Sequence, residues 1–216
     1  MPDRSLLNDA LNFLYAKVAG NLSISAAEGG GEADIDRWIR LASRQAGAAG
    51  FMTNLGGVLA LPVAIPANLA GTAAVQLRLI AKIAAARGYD TQSEEVKTFV
   101  FACLLGNAAT DVLKGAGVRI GTRVGLRVGP AVLQKLNRSV LARLVARFGT
   151  QGVVSLTKVV PIMGGLIGGG LDAASTRVVG TMAKRVFVPK AAPAPTLEKP
   201  QGEPPLLLVG PPTEAG

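Results

Sequence analysis

Histidine is absent from this chain and cysteine occurs once, so the groups that could do chemistry are carboxylates and the arginines beside them. Ser-His triads, Cys-His dyads and ordinary His-containing metal sites are excluded together. Among the acids Asp90, Glu94, Glu95, Asp111 and Asp172, the last stands apart. It closes the apolar, glycine-rich run Val159 to Gly170 (VVPIMGGLIGGG), where desolvation would raise a carboxyl pKa, and Arg177 lies just beyond it. A stretch of the same character, Gly50 to Gly71 (GFMTNLGGVLALPVAIPANLAG), leads through Asn68 into a segment bearing Gln76 and Arg78. If the two stretches face each other, Asn68 stands where an acid/base pair would need its second carboxyl, and Asn68 cannot ionise. Asp172, Arg177, Asn68 and Arg78 are therefore the candidate catalytic set of a carboxylate-dependent, hydrolase-like enzyme. The competing account makes them helix caps and ion pairs inside a bundle, and it is the favoured one, because structural ion pairs also perturb pKa.

The glycines do not read as a phosphate cradle. Gly164-Gly165 and Gly168-Gly169-Gly170 follow no clear strand and lack the Gly-Lys-Ser/Thr ending of a nucleotide loop. The spacing Gly165-x-x-x-Gly169 suits close helix–helix contact instead. No cofactor and no metal is expected. Cys103, inside FVFACLLG, is expected to be a buried, inert thiol.

The elements that would position these residues are helical. The chain has 216 residues, the length of one domain with tails, and 49% of them are hydrophobic but only 4% aromatic. Its apolar mass is thus aliphatic and small, as closely packed helices require. Ser5 to Val18 reads as an amphipathic helix with Gly20 as its stop, followed by a glycine-rich linker. Asp34 is the expected N-cap of the next helix, anchored by Trp38. A helix to about Leu61, a turn over Pro62 to Pro66 and a new helix to Arg87 come next. Thr91-x-x-Glu94 matches a capping box, and the helix it opens is expected to continue towards Lys114. The repeat GVRI-GTRV-GLRV-G over 117–129 fits either a strand or a helix, and helix is preferred. Pro130 opens a helix with Leu133, Leu136, Val140, Leu144 and Phe148 as its stripe, and a last helix covers about Leu171 to Val186.

The fold class is therefore all-α: a compact multi-helix bundle with a glycine-rich core. Residues 1–33 form the N-terminal helix and linker, 34–188 the helical domain, and 189–216 a disordered proline-rich tail. Eight of the thirteen prolines fall in that tail, which is the basis for reading it as unstructured.

Charge supplies the other functional signal. The formal net charge is +9, and no acidic residue stands between Asp111 and Asp172. That interval holds Lys114, Arg119, Arg123, Arg127, Lys135, Arg138, Arg143, Arg147 and Lys158. A one-sided basic field favours anionic partners. Nucleic acid is disfavoured, because no recognition-helix motif or aromatic stacking platform accompanies the charge. Anionic membrane lipids, or a membrane protein, are the expected partners, with Arg119, Arg123, Arg127, Lys135, Arg138, Arg143 and Arg147 as the binding residues. The uncharged run Gln45 to Leu77 is longer than the ~20 residues of a membrane-spanning helix. Pro62 and Pro66 interrupt it, so integral insertion through residues 46–76 is kept only as an alternative.

The order of several short motifs resembles the EcsC-like family. They are Gly50-Phe51, Gly56-Gly57, Leu61-Pro62, Pro66-Ala67-Asn68, Gln76-x-Arg78 and Gly88-Tyr89-Asp90 in the first half. Leu136-Asn137-Arg138, Arg147-Phe148-Gly149, Pro161-x-x-Gly164-Gly165 and Asp172-Ala173-Ala174-x-Thr176-Arg177 follow in the second. The resemblance spans roughly Asp34 to Phe187. It implies a protein of a mainly bacterial family, named for a gene beside an ABC transporter operon, with no established biochemical activity to carry over. The family pattern is expected to hold aspartate after Pro-Ala, where this chain has Asn68. Together with the charge, the expectation is a non-catalytic protein in the cytoplasm at the inner face of the cell membrane.

Overall fold

The computed structural model describes residues 4–22, 30–55, 61–121, 128–148 and 161–190, without the side chains of 4–7, 21, 51–55, 61–70, 148 and 161–167. These residues form α1 (Arg4–Leu22), α2 (Glu32–Leu55), α3 (Leu61–Ala86), α4 (Glu94–Cys103), α5 (Ala109–Gly115), α6 (Pro130–Phe148) and α7 (Pro161–Val186). A short 3₁₀ turn, Gly106–Ala108, links α4 to α5, and no strand occurs among the described residues. The all-α expectation holds. The proline-rich tail beyond residue 190 lies outside the described residues, as do 122–127 of the glycine–arginine repeat.

Three long helices make the central layer, and α2 against α7 is the most extensive pairing. They run antiparallel: Lys184 reaches Glu32 and Asp36 at one end, Gly180 packs on Ile39, and Ala173 and Asp172 meet Gly47 and Gly50 further along. Small residues set that spacing. A Cβ on Gly47 would stand 3.1 Å from the Gly169 carbonyl oxygen, and one on Gly50 would stand 3.3 Å from the Gly169 Cα. Helix α3 lies alongside α7 in the same direction, with Leu79 near Gly180 and Gln76 bonded to Ser175 and Thr176.

The glycine run predicted to precede the last helix is its first part: α7 starts at Pro161, not Leu171. Proline is preorganised for the first helical position, and the cost of helical glycines is offset by backbone contact with α2 that larger residues would block. Both prolines of the first stretch likewise fall inside α3, within its opening turns, rather than in a turn ahead of it. The missing N–H of Pro62 is one that a first turn leaves unbonded anyway.

The caps differ from expectation by small steps with clear causes. Helix α2 begins at Glu32, and Asp34 sits inside its first turn, accepting from the Gly31 N–H at 3.2 Å. Asp34 thus bonds back to the residue before the helix, as the third residue of a capping box does. At α4 the N-cap is Ser93, not Thr91: its hydroxyl accepts from Val96 N, while Asp90 accepts from Gln92 N at 2.8 Å in the turn before it. Beyond α4 the chain does not continue as one helix. Gly106, at φ +61°, turns it, and a Cβ there would press on Val178 at 3.2 Å.

Helix α5 ends in a glycine turn. Val118 N bonds the Leu113 carbonyl and Gly117, at φ +82°, takes the left-handed conformation. Gly121 does the same at φ +80°. Residues 117–121 are therefore neither the preferred helix nor a strand.

Helix α1 belongs to the main core and not to a separate arm. Its Leu11, Tyr15, Ala19 and Leu22 are buried, Tyr15 packs edge-on to Phe101, and its hydroxyl donates to the Thr91 carbonyl at 2.6 Å. The family of buried side chains that Tyr15 joins includes Phe99, Leu104, Leu113, Leu136, Leu144 and Phe187. Cys103 is fully buried there, and burial pushes its thiol pKa up.

Candidate functional site

Of the four candidate catalytic residues, the side chains of three are described, and they do not converge. Arg78 and Arg177 are exposed, on the outer faces of α3 and α7. Asp172 is half-buried and turned toward Gly50 of α2. The side chain of Asn68 lies outside the described residues. Positions two apart on a helix point in nearly opposite directions, so Gln76 enters the core because Arg78 leaves it. On α7, Thr176 is fully buried while Arg177, about a hundred degrees further round the helix, is exposed.

What the two stretches bring together is an uncharged polar seam. Gln76 Nε2 donates to Ser175 Oγ at 3.1 Å and to Thr176 Oγ1 at 3.2 Å. Ser175 in turn donates to the Asp172 carbonyl at 3.1 Å. Thr72, one turn back along α3, is buried beside them. Sequence reasoning passed over these residues in favour of the charged neighbours Arg78 and Arg177. The available signal was Gln76 itself, a polar side chain within the long uncharged run, in the same motif as Arg78.

A second cluster closes the opposite end of the layer. The Arg87 guanidinium, almost fully buried, bonds Glu32, and Lys184 bridges Glu32 at 3.0 Å and Asp36 at 2.6 Å. Hydrogen bonding to Arg87, then to Lys184, holds the Glu32 carboxyl below the usual range, while the bond to Asp36 leads in raising Lys184. Tyr89 follows in the turn after Gly88, donating to the Val188 carbonyl at 2.8 Å and packing edge-on to Phe187. These contacts tie the starts and ends of α2, α3 and α7 together. Trp38 acts as the expected anchor, with the Lys82 ammonium 4.2 Å above its ring.

The basic interval divides into an outer and an inner part. On α6, Leu136, Val140 and Leu144 are buried, Lys135 and Arg138 are exposed on the opposite side, and Arg143 is exposed at the edge of the buried stripe. Ala131, Gln134, Asn137, Ala142 and Ala146 are exposed as well. Lys135 also donates to the Gly115 carbonyl at 3.0 Å. Arg119 is exposed in the turn after α5, and Arg123 and Arg127 lie outside the described residues. Arg147 turns inward. Its guanidinium bonds the Leu104 carbonyl, one of those freed where α4 breaks, and desolvation lowers its pKa.

Among the described residues no group of three or more His, Cys, Asp or Glu side chains could hold a metal ion, and no helix is long and apolar enough to cross a membrane. No curated protein and no solved structure matches the chain. The pattern that defines the EcsC protein family matches residues 31–188. That span takes in six of the seven helices described here, and the chain belongs to the EcsC protein family.

Proposed function

We propose that this EcsC family member is a non-catalytic protein that attaches peripherally to anionic membrane through the outer face of α6. The observation carrying the reading is the exposed set Lys135, Arg138 and Arg143 on α6. No ion pair among the described residues engages these three cations. The outer surface of α6 is therefore basic and, among the described residues, carries no ion pair on these cations, the character of a helix that lies along a headgroup layer. Each lysine or arginine at such a surface contributes about 1 kcal/mol. The exposure of Arg78 and Arg177, away from the α3–α7 contact, supports the non-catalytic reading over the enzyme alternative.

Flotation with phosphatidylcholine vesicles, with and without phosphatidylglycerol, tests the reading. Recovery is expected with the anionic vesicles only, falling as salt is raised. Replacing Arg138 and Arg143 together by alanine removes about 2 kcal/mol and should weaken binding roughly thirtyfold. Equal recovery on neutral vesicles, or none on anionic ones, would rule out lipid charge as the attraction and leave a membrane protein as the partner to seek.

A further inference from the structure

The α3–α7 seam is incompletely satisfied, and the two deficient atoms belong to residues one helical turn apart. Thr72 and Gln76 stand one helical turn apart on α3, on the face turned to α7. Their exposures are 6% and 1%, and neither Thr72 Oγ1 nor Gln76 Oε1 has a hydrogen-bond partner. Ser175 donates its hydroxyl proton to the Asp172 carbonyl and accepts from Gln76 Nε2, as does Thr176. With the amide NH₂ facing α7, the carbonyl oxygen is the atom left over.

Two orphaned oxygens one turn apart in a sealed core are costly unless something donates to them. Buried polar groups in this position are served by ordered water, which makes about three hydrogen bonds where the site is polar. The neighbouring register provides small and polar company. In the parallel pairing of α3 with α7, Thr72 comes level with Asp172, which leans toward Gly50, and Gly168 and Gly169 precede it on α7.

We infer that the seam holds a buried water molecule that bridges Thr72 Oγ1 and Gln76 Oε1 and joins α3 to α7 through the polar line Thr72, Gln76, Ser175 and Thr176. The site is independent of the α6 face, so either reading can fail without the other.

A crystal structure at a resolution that orders waters tests it directly, comparing wild type with Thr72→Ser and Thr72→Val. Density within hydrogen-bond distance of both atoms is expected in wild type and in Thr72→Ser, and its loss in Thr72→Val. In solution, water–protein Overhauser transfer to the Gln76 side-chain amide should report a long-lived water in the first two proteins. A wild-type structure in which the Thr72 hydroxyl bonds Gln76 Oε1 directly, with no guest, would overturn the inference. So would an unchanged water in Thr72→Val, because a bridge cannot survive the loss of one abutment. If Thr72→Val does not fold, the wild-type density and the Overhauser signal decide the matter alone.

Discussion

Gly180 and Gly170 lie on the same helix, and alanine at the two positions should change stability in opposite directions. The local gain is the same for both: an interior helical alanine is favoured over glycine by about 1 kcal/mol. Gly170 is exposed, and a Cβ there meets nothing within 4 Å. Gly170→Ala should therefore keep most of that gain. At Gly180 the added carbon would stand 2.7 Å from Ile39 Cγ1 and 3.1 Å from Leu79 Cδ2, at the meeting of α2, α3 and α7. Ile39 is β-branched and cannot swing away without leaving its preferred rotamer. Overpacking of this kind costs about 1–3 kcal/mol, so the net loss for Gly180→Ala is up to about 2 kcal/mol after the helical gain is offset. For a chain of this length that is a fall of up to about 8 °C in Tm, against a rise of about 2–4 °C for Gly170→Ala. Urea unfolding followed by circular dichroism and by the single tryptophan, Trp38, gives both values. A Gly180→Ala protein as stable as Gly170→Ala would mean that α2 and α7 do not approach as closely as the glycines allow.

Three further substitutions separate structural from surface roles. Arg147→Met should cost about 1–3 kcal/mol in denaturant unfolding, because the Leu104 carbonyl loses its charged donor, whereas Arg143→Ala should stay within about 0.5 kcal/mol. Gln76→Ala should destabilise more than Gln76→Leu, since leucine refills the volume between α3 and α7 and alanine leaves a cavity. Glu32→Gln should flatten the acid side of the stability–pH profile. The Glu32 carboxyl is held below its ordinary value by Arg87 and Lys184, so its contribution is complete above about pH 4.3 and is lost as pH falls through the folded-state value. The effect should be small, because Glu32 is 60% exposed and solvent screens it. An unchanged acid limb in Glu32→Gln would show that the cluster is not what holds the helix ends together.

How legible each part was follows from how local its cause is. Helices α1, α4 and α6 announce themselves by apolar spacing, a property of adjacent residues, although α1 runs past Gly20 to Leu22 and α4 ends at Cys103, short of Lys114. The boundaries slipped where two caps competed within one turn, as at Thr91 and Ser93, because only the folded backbone decides which hydroxyl reaches an open N–H. The start of α7 was hidden for a different reason. A run such as Pro161 to Gly170 has poor helical propensity, and its helix depends on Gly47 and Gly50 of α2, more than a hundred residues away in sequence. The polar seam shows the same limit. Spacing can place Thr72 and Gln76 on one face, but only packing shows that the face opposes Ser175 and Thr176.

Arg147 changes what the acid-free interval implies for membrane attachment. By sequence it is one of nine cations between Asp111 and Asp172, and all nine would count toward an electrostatic surface. Folded, it is spent on the Leu104 carbonyl in a partly desolvated position. A cation so committed cannot also neutralise a headgroup without exposing the carbonyl it serves. The salt dependence of vesicle binding should then scale with the exposed α6 cations and not with the interval's total. Arg147→Met should leave that slope nearly unchanged at temperatures where the variant is folded, while Arg138→Ala and Arg143→Ala should each reduce it. An Arg147→Met protein that folds normally and loses salt-sensitive binding would show that the guanidinium leaves the core at the membrane, and the division into inner and outer cations would have to be abandoned.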